Sequence, residues 1–97
     1  MEMMQKWKLY AKWIEENVPA NPMCLCTPVS LAMAGAFPEL RIMSGSIVTE
    51  SGATYEQHTW LLSEDGRLIV DPTEAQFGEP VVEYDAHLHD SSERTHG

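Results

Sequence analysis

The apolar residues of this chain follow a helical spacing before Pro38 and a strand-like pattern after it. Residues 7–14 place apolar side chains three or four positions apart between charged ones, which is typical of an amphipathic helix. Thr27-Pro28 resembles an N-cap followed by proline at the first helical position, so it predicts a second helix. The proline-containing stretch 18–23 is predicted to be an extended or turning connection between the two helices.

Downstream of Pro38, β-branched and aliphatic residues predict three strands: 40–49, 54–62 and 67–71. Asp65-Gly66 is typical of a tight hairpin between the second and third strands. Residues 79–84 can add a short edge strand. Because helices precede strands, we expect an α+β fold in which two N-terminal helices pack on a small antiparallel sheet.

The length of the chain limits it to one domain. Its 97 residues, of which 43% are hydrophobic, can bury roughly 60–65% of the unfolded surface but cannot form two cores. We predict a single domain over residues 1–84, followed by a polar tail, residues 85–97, that frays.

Charge and cysteine content narrow the class of protein further. The net charge of −9 argues against a nucleic-acid ligand, since phosphate binding relies on clustered Lys and Arg. No run approaches the ~20 apolar residues of a membrane helix, and residues 1–17 are too charged for a signal peptide. Two cysteines are too few for a disulfide framework. We therefore expect a cytoplasmic protein with free thiols that binds neither nucleic acid nor membrane.

Three residues in separate elements supply the groups needed for nucleophilic cysteine chemistry: Cys26, His58 and Asp71. A thiolate attacks, an imidazole takes the thiol proton, and a carboxylate on the far ring nitrogen orients that imidazole. Cys26 stands at the predicted start of the second helix, where free N–H groups and the helix dipole stabilise an anion. Cys24 lies in the preceding connection, so we expect Cys26 to be the nucleophile.

The strand pattern also predicts whether His58 and Asp71 can meet. A two-residue Asp65-Gly66 loop places Asp71 opposite Trp60 and makes it a diagonal neighbour of His58, ~7–8 Å away at the backbone. A four-residue loop would place the pair directly opposite each other, whereas an unbulged three-residue loop would place them on opposite faces. The pairing therefore requires an even loop or a compensating bulge.

Five segments occur in an order that resembles a known family: CTPVS (26–30), RIMSG (41–45), HTWL (58–61), DGRLIVDPT (65–73) and QF (76–77). Together they resemble small transglutaminase-like members of the papain-like cysteine peptidase superfamily. The resemblance implies Cys26 as nucleophile, His58 as general base and acid, and Asp71 as the orienting carboxylate. It implies no cofactor and no catalytic metal.

By this resemblance the chain would be an acyl-transfer enzyme that acts on amide bonds through a thioester. Peptidase, deamidase and transglutaminase-like reactions all share that intermediate, and the substrate would be a protein, a peptide or a small amide. The side-chain oxyanion donor of papain-like enzymes has no clear counterpart, and Asn21 and Gln57 are the available candidates. The chain also departs from its relatives at Leu25, where a small or polar residue often precedes the nucleophile.

Two alternatives come from other classes of protein. An acidic chain can keep the same fold as a catalytically inactive binding or inhibitor protein, and its binding would then survive Cys26→Ala. Alternatively, Cys24, Cys26, His87 and His89 supply the sulfur and nitrogen ligands that zinc accepts. Their Cys-x-Cys and His-x-His spacings are tighter than those of usual zinc knuckles.

Overall fold

The structure, a computed structural model, describes residues 2–87 and the side chains of residues 6–86. Its elements are, in chain order, α1 (Glu2–Asn17), α2 (Cys26–Ala36), β1 (Arg41–Thr49), β2 (Thr54–Leu62), β3 (Ile69–Val70), a 3-10 helix (Glu74–Phe77) and β4 (Val81–His87). The four described strands form one antiparallel sheet in the order β3-β2-β1-β4. This arrangement confirms the predicted α+β fold with its helices N-terminal to the sheet.

Helix α2 begins two residues earlier than the capping pattern predicts. Cys26 is its first residue, Leu25 occupies the N-cap position without a side-chain cap, and Thr27 is already helical. Pro28 therefore falls in the first turn, where its missing N–H needs no helical partner. The candidate nucleophile thus lies in the first turn of the helix.

The main core lies between the helices and one face of the sheet. Its buried apolar side chains come from α1, α2, the residue before β1, β2 and β3: Tyr10, Met33, Leu40, Leu61 and Val70. Phe37 packs edge-on against Tyr10, with ring centroids 4.8 Å apart. Since α2 lies against β2 and β1, the helix with the cysteine is held beside the strand with the histidine.

The register between β2 and β3 is the one that a two-residue Asp65-Gly66 loop predicts, because Leu61 pairs with Val70. The loop itself is longer, and β3 covers only two residues rather than the predicted five. Side chains replace the missing ladder bonds, since Leu68 N donates to Ser63 Oγ and Arg67 N donates to Asp65 Oδ1.

Strand β4 lies at the other edge of the sheet and pairs with β1. It continues to His87, three residues past the predicted domain boundary at residue 84. The rest of the predicted tail, residues 88–97, lies outside the described residues. Among residues 2–87, neither helix is long and apolar enough to cross a membrane.

Candidate functional site

His58 and Asp71 form a buried pair between β2 and the segment that follows β3. His58 Nε2 lies 2.8 Å from Asp71 Oδ2, and the two side chains are only 3% and 2% exposed. Asp71 follows β3 directly, so the register that pairs Leu61 with Val70 also places Asp71 diagonally from His58. Since a carboxylate only accepts, Nε2 carries the hydrogen of this bond when Asp71 is ionised.

Asp71 receives two further hydrogen bonds. Thr73 N donates to Oδ1 over 3.3 Å, and the Tyr84 hydroxyl donates to Oδ2 over 2.9 Å. Burial raises the pKa of Tyr84, and the nearby Asp71 charge raises it further, so Tyr84 remains a neutral hydroxyl donor at physiological pH. The carboxylate is therefore held by donors from three directions.

Aromatic rings fix the plane of the His58 imidazole. Trp60 stacks beside it at 5.8 Å between ring centroids, and Phe77 meets it edge-on at 4.9 Å. Because Nε2 is hydrogen-bonded to Asp71, the other ring nitrogen, Nδ1, is the one that can bind a thiol or a substrate. Among the side chains of residues 6–86 no hydrogen bond to Nδ1 is present, and because no fully buried side-chain nitrogen or oxygen there lacks a partner, Nδ1 is not fully buried.

A β-bulge precedes His58. Gly45 pairs with His58, but the next pair in the ladder is Ile47 with Tyr55, so β2 holds one extra residue at this point. Gln57 takes up the irregularity with a φ of 66°, which non-glycine residues adopt infrequently. Bulges commonly re-aim side chains beside functional sites. This bulge changes the direction of the chain immediately before the imidazole.

The N-terminus of α2 is tied to the residue that follows His58. Thr27 Oγ1 lies 3.2 Å from Thr59 Oγ1, and Ser30 Oγ donates to the Thr59 carbonyl over 3.5 Å. Successive strand residues point to opposite faces, so Thr59 faces α2 while His58 faces Asp71. The half-buried Cys26 thiol contacts Thr27 Oγ1 at 3.9 Å. Within residues 2–87 no hydrogen bond joins Cys26 to His58.

A second link joins the cysteine connection to the turn after Asp71. Cys24 N donates to Gln76 Oε1 over 3.4 Å, and Gln76 Nε2 donates to the carbonyl and the hydroxyl of Thr73. Cys24 has a φ of 64° and an exposed side chain. These hydrogen bonds link the connection that contains Cys24 to the turn that contains Asp71, the partner of His58.

The structure places the two candidate oxyanion donors differently. Gln57 lies in the bulge beside His58, whereas Asn21 lies in the connection before α2, and both residues are exposed. Sequence reasoning missed Tyr84 as a partner of Asp71 and Thr59 as a partner of α2. The alternation of β4 could indicate that Tyr84 faces inward, but it carries no signal for which carboxylate Tyr84 meets.

Within the described residues, neither a metal cluster nor the cleft beside α1 adds to this site. Among the side chains of residues 6–86 no group of three or more metal-binding residues is present, and the side chains of His87 and His89 of the zinc alternative lie outside the described part of the chain. A cleft of about 330 Å³ is lined by residues of α1, the turn before β1 and the β2–β3 hairpin: Lys6, Tyr10, Glu39, Ser63, Glu64, Asp65 and Leu68. None of these belongs to the His58 site.

Comparison with protein-family models, with curated proteins and with solved structures finds no match for this chain. Any functional assignment therefore depends on the residues of the site itself.

Proposed function

We propose that this protein is a cysteine-dependent acyl-transfer enzyme that acts on amide bonds through a thioester intermediate. The observation that carries this proposal is the buried His58–Asp71 pair, which leaves Nδ1 of the imidazole without a partner among the described residues. A carboxylate on one ring nitrogen fixes the tautomer in which the other nitrogen is a base. Cys26, on the neighbouring helix terminus, is the nucleophile.

The reaction begins when the Cys26 thiol proton moves to His58 Nδ1. The thiolate sulfur then attacks the amide carbonyl carbon, and the carbonyl electron pair moves to oxygen. When the tetrahedral intermediate collapses, the C–N bond breaks and His58 returns the proton to the leaving amine. Water or a second amine then attacks the thioester with His58 as base, which releases the acyl group and restores the thiol.

The first turn of α2 contributes to the stabilisation of negative charge. The N–H groups of Cys26 and Thr27 have no carbonyl partner within the helix, and they lie at the positive end of its dipole. The same groups favour the thiolate and can donate to the oxyanion. In this proposal Gln57, exposed beside His58 in the bulge, is a better placed side-chain donor than Asn21.

The charges around the pair favour an uncharged or basic peptide, protein or small amide as substrate. Four acidic residues lie within three positions of His58, Asp71 or Tyr84: Glu56, Glu74, Glu83 and Asp85. Three positions span at most ~11 Å, about one Debye length at physiological salt. The Lys and Arg residues within 6–86 lie on α1 or at Arg41 and Arg67, towards the hairpin end of the sheet.

The first test is the pH dependence of iodoacetamide alkylation at each cysteine, resolved by mass spectrometry. Cys24 is an internal reference in the same chain, and it is the more exposed thiol. If exposure alone controlled the rate, Cys24 would react faster. We expect Cys26 to react faster near neutral pH, and we expect this advantage to disappear in His58→Ala.

A matched variant separates loss of the base from general loosening of the buried site. Trp60→Phe disturbs the packing beside His58 while it keeps the imidazole, so Cys26 should stay reactive. Added imidazole should restore part of the rate in His58→Ala. If Cys26 reacts no faster than Cys24, or if His58→Ala leaves the rate unchanged, the enzyme proposal is wrong. That outcome would favour the catalytically inactive binding protein with the same fold.

A further inference from the structure

Tyr84 contacts the same oxygen atom that orients the histidine. Its hydroxyl lies 2.9 Å from Asp71 Oδ2, and His58 Nε2 lies 2.8 Å from that atom. The other carboxylate oxygen is taken by Thr73 N at 3.3 Å. Tyr84 and His58 therefore compete for the negative charge of one oxygen.

The sheet is built so that Tyr84 can reach this position. Tyr84 lies on β4 and its ring packs against Trp60 of β2 at 5.0 Å between centroids, although β1 separates the two strands. Strands two positions apart are about 10 Å from each other, so their side chains must meet above β1. Gly45 of β1, which pairs with both His58 and Ala86, places no side chain between them.

We propose that Tyr84 is a positioning residue of the cysteine site, whose hydroxyl holds Asp71 and limits how strongly that carboxylate stabilises protonated His58. This inference rests on the proposed function. A hydrogen bond to a carboxylate stabilises its charged form and makes it a weaker base. Without the hydroxyl, more of the charge on Oδ2 is available to the imidazole, so protonated His58 persists to higher pH.

Three titratable groups surround the Tyr84 hydroxyl within the described residues: Asp71, Glu74 and His58. Asp71 and Glu74 face it from the segment after β3, and His58 faces it from β2. Burial and these two carboxylates raise the pKa of Tyr84, so the hydroxyl remains a donor across the range in which histidine titrates. The Tyr84 hydroxyl thus stays protonated and can donate to Asp71 whether or not the imidazole of His58 is charged.

The test is the pH titration of the His58 ring signal by NMR in the wild-type chain and in Tyr84→Phe. The variant keeps the ring that packs on Trp60 and removes only the hydroxyl. We expect the midpoint of the titration to rise by roughly 0.3–1 pH unit, a two- to tenfold change in the protonation equilibrium. Tyr55→Phe is the matched control, because Tyr55 is 42% exposed and packs on Phe77 from outside the pair.

A tyrosine substituted with fluorine at the ring position next to the hydroxyl is a second probe that keeps the fold intact. Fluorine makes the hydroxyl a stronger donor, so incorporation at position 84 should move the midpoint downward, opposite to Tyr84→Phe. An unchanged midpoint with either replacement, or an equal shift in Tyr55→Phe, would overturn the role of Tyr84. Because this readout does not involve Cys26, its failure is distinct from the failure of the alkylation test.

Discussion

Two contacts between a nitrogen-bearing side chain and a carboxylate within residues 6–86 have nearly equal lengths but differ in burial. His58 Nε2 and Asp71 Oδ2 are 2.8 Å apart with side chains 3% and 2% exposed, whereas Lys6 Nζ and Glu39 Oε2 are 3.0 Å apart with side chains 49% and 22% exposed. A double-mutant cycle on each pair isolates its coupling free energy. Burial, and not distance, should decide which coupling is larger.

The expected magnitudes follow from the two environments. A buried hydrogen bond to a charged group contributes about 1.5–3 kcal/mol. An exposed pair contributes about 0.2–1 kcal/mol, because water screens it and two long side chains lose rotamer freedom. We therefore expect the His58→Phe, Asp71→Ala cycle to give a coupling at least about 1 kcal/mol larger than the Lys6→Ala, Glu39→Ala cycle.

The measurement is urea unfolding of the wild type, the four single variants and the two double variants. A domain of this size has a free energy of unfolding of about 5–15 kcal/mol, so losses of a few kcal/mol remain measurable. Raising the salt concentration should weaken only the exposed coupling. A His58–Asp71 coupling below about 0.5 kcal/mol, or one as sensitive to salt as the exposed pair, would refute this reasoning.

Three further predictions concern stability. Gly45→Ala should lower the free energy of unfolding by about 1–3 kcal/mol, because Gly45 lies on β1 between the two strands whose Trp60 and Tyr84 rings meet. Gly35→Ala, in open space on α2, should raise it by about 0.5–1 kcal/mol. The φ of 66° at Gln57 suits glycine and is unfavourable for a β-branched residue. Gln57→Gly should therefore leave the free energy of unfolding unchanged or raise it, and Gln57→Val should lower it by about 1–3 kcal/mol. Equal free energies of unfolding for the two variants would contradict this. The hydrogen bond from Tyr10 lowers the pKa of Glu39 in the folded protein. The ionised Glu39 therefore stabilises the fold fully above the ordinary carboxyl pKa, and this stabilisation is lost as pH falls from that value through the lowered pKa. Glu39→Gln should therefore flatten the loss of unfolding free energy between pH 5 and pH 3, and an unchanged slope would refute the assignment.

The hairpin shows what local pattern can predict. The alternation in β2 predicts a diagonal placement of Asp71 and His58 if the Asp65-Gly66 loop has two residues and a directly opposed pair if the loop has four, and the observed register is the two-residue one. The length of β3 could not be predicted in the same way. Ser63 and Asp65 use their side chains to bind the backbone of the hairpin, which shortens the ladder.

The bulge at Gln57 and the partner of Tyr84 were not predictable from the sequence. A bulge arises where two residues of one strand face a single residue of its partner, so the sequence of either strand alone does not predict it. The contact from Tyr84 to Asp71 joins β4 to the segment after β3, two elements at opposite edges of the sheet. The role of Gly45 in that contact appears only when both of its neighbouring strands are known.

The sequence by itself determined the order of helices and strands, the faces of the strands and the residue types available for cysteine chemistry. These follow from periodicity, capping and turn residues, which act over a few neighbouring positions. Only the tertiary structure decided that His58 and Asp71 are buried together, that Tyr84 shares their oxygen atom and that α2 is tied to Thr59. Such contacts join residues 13 to 32 positions apart, and their geometry depends on how whole elements pack.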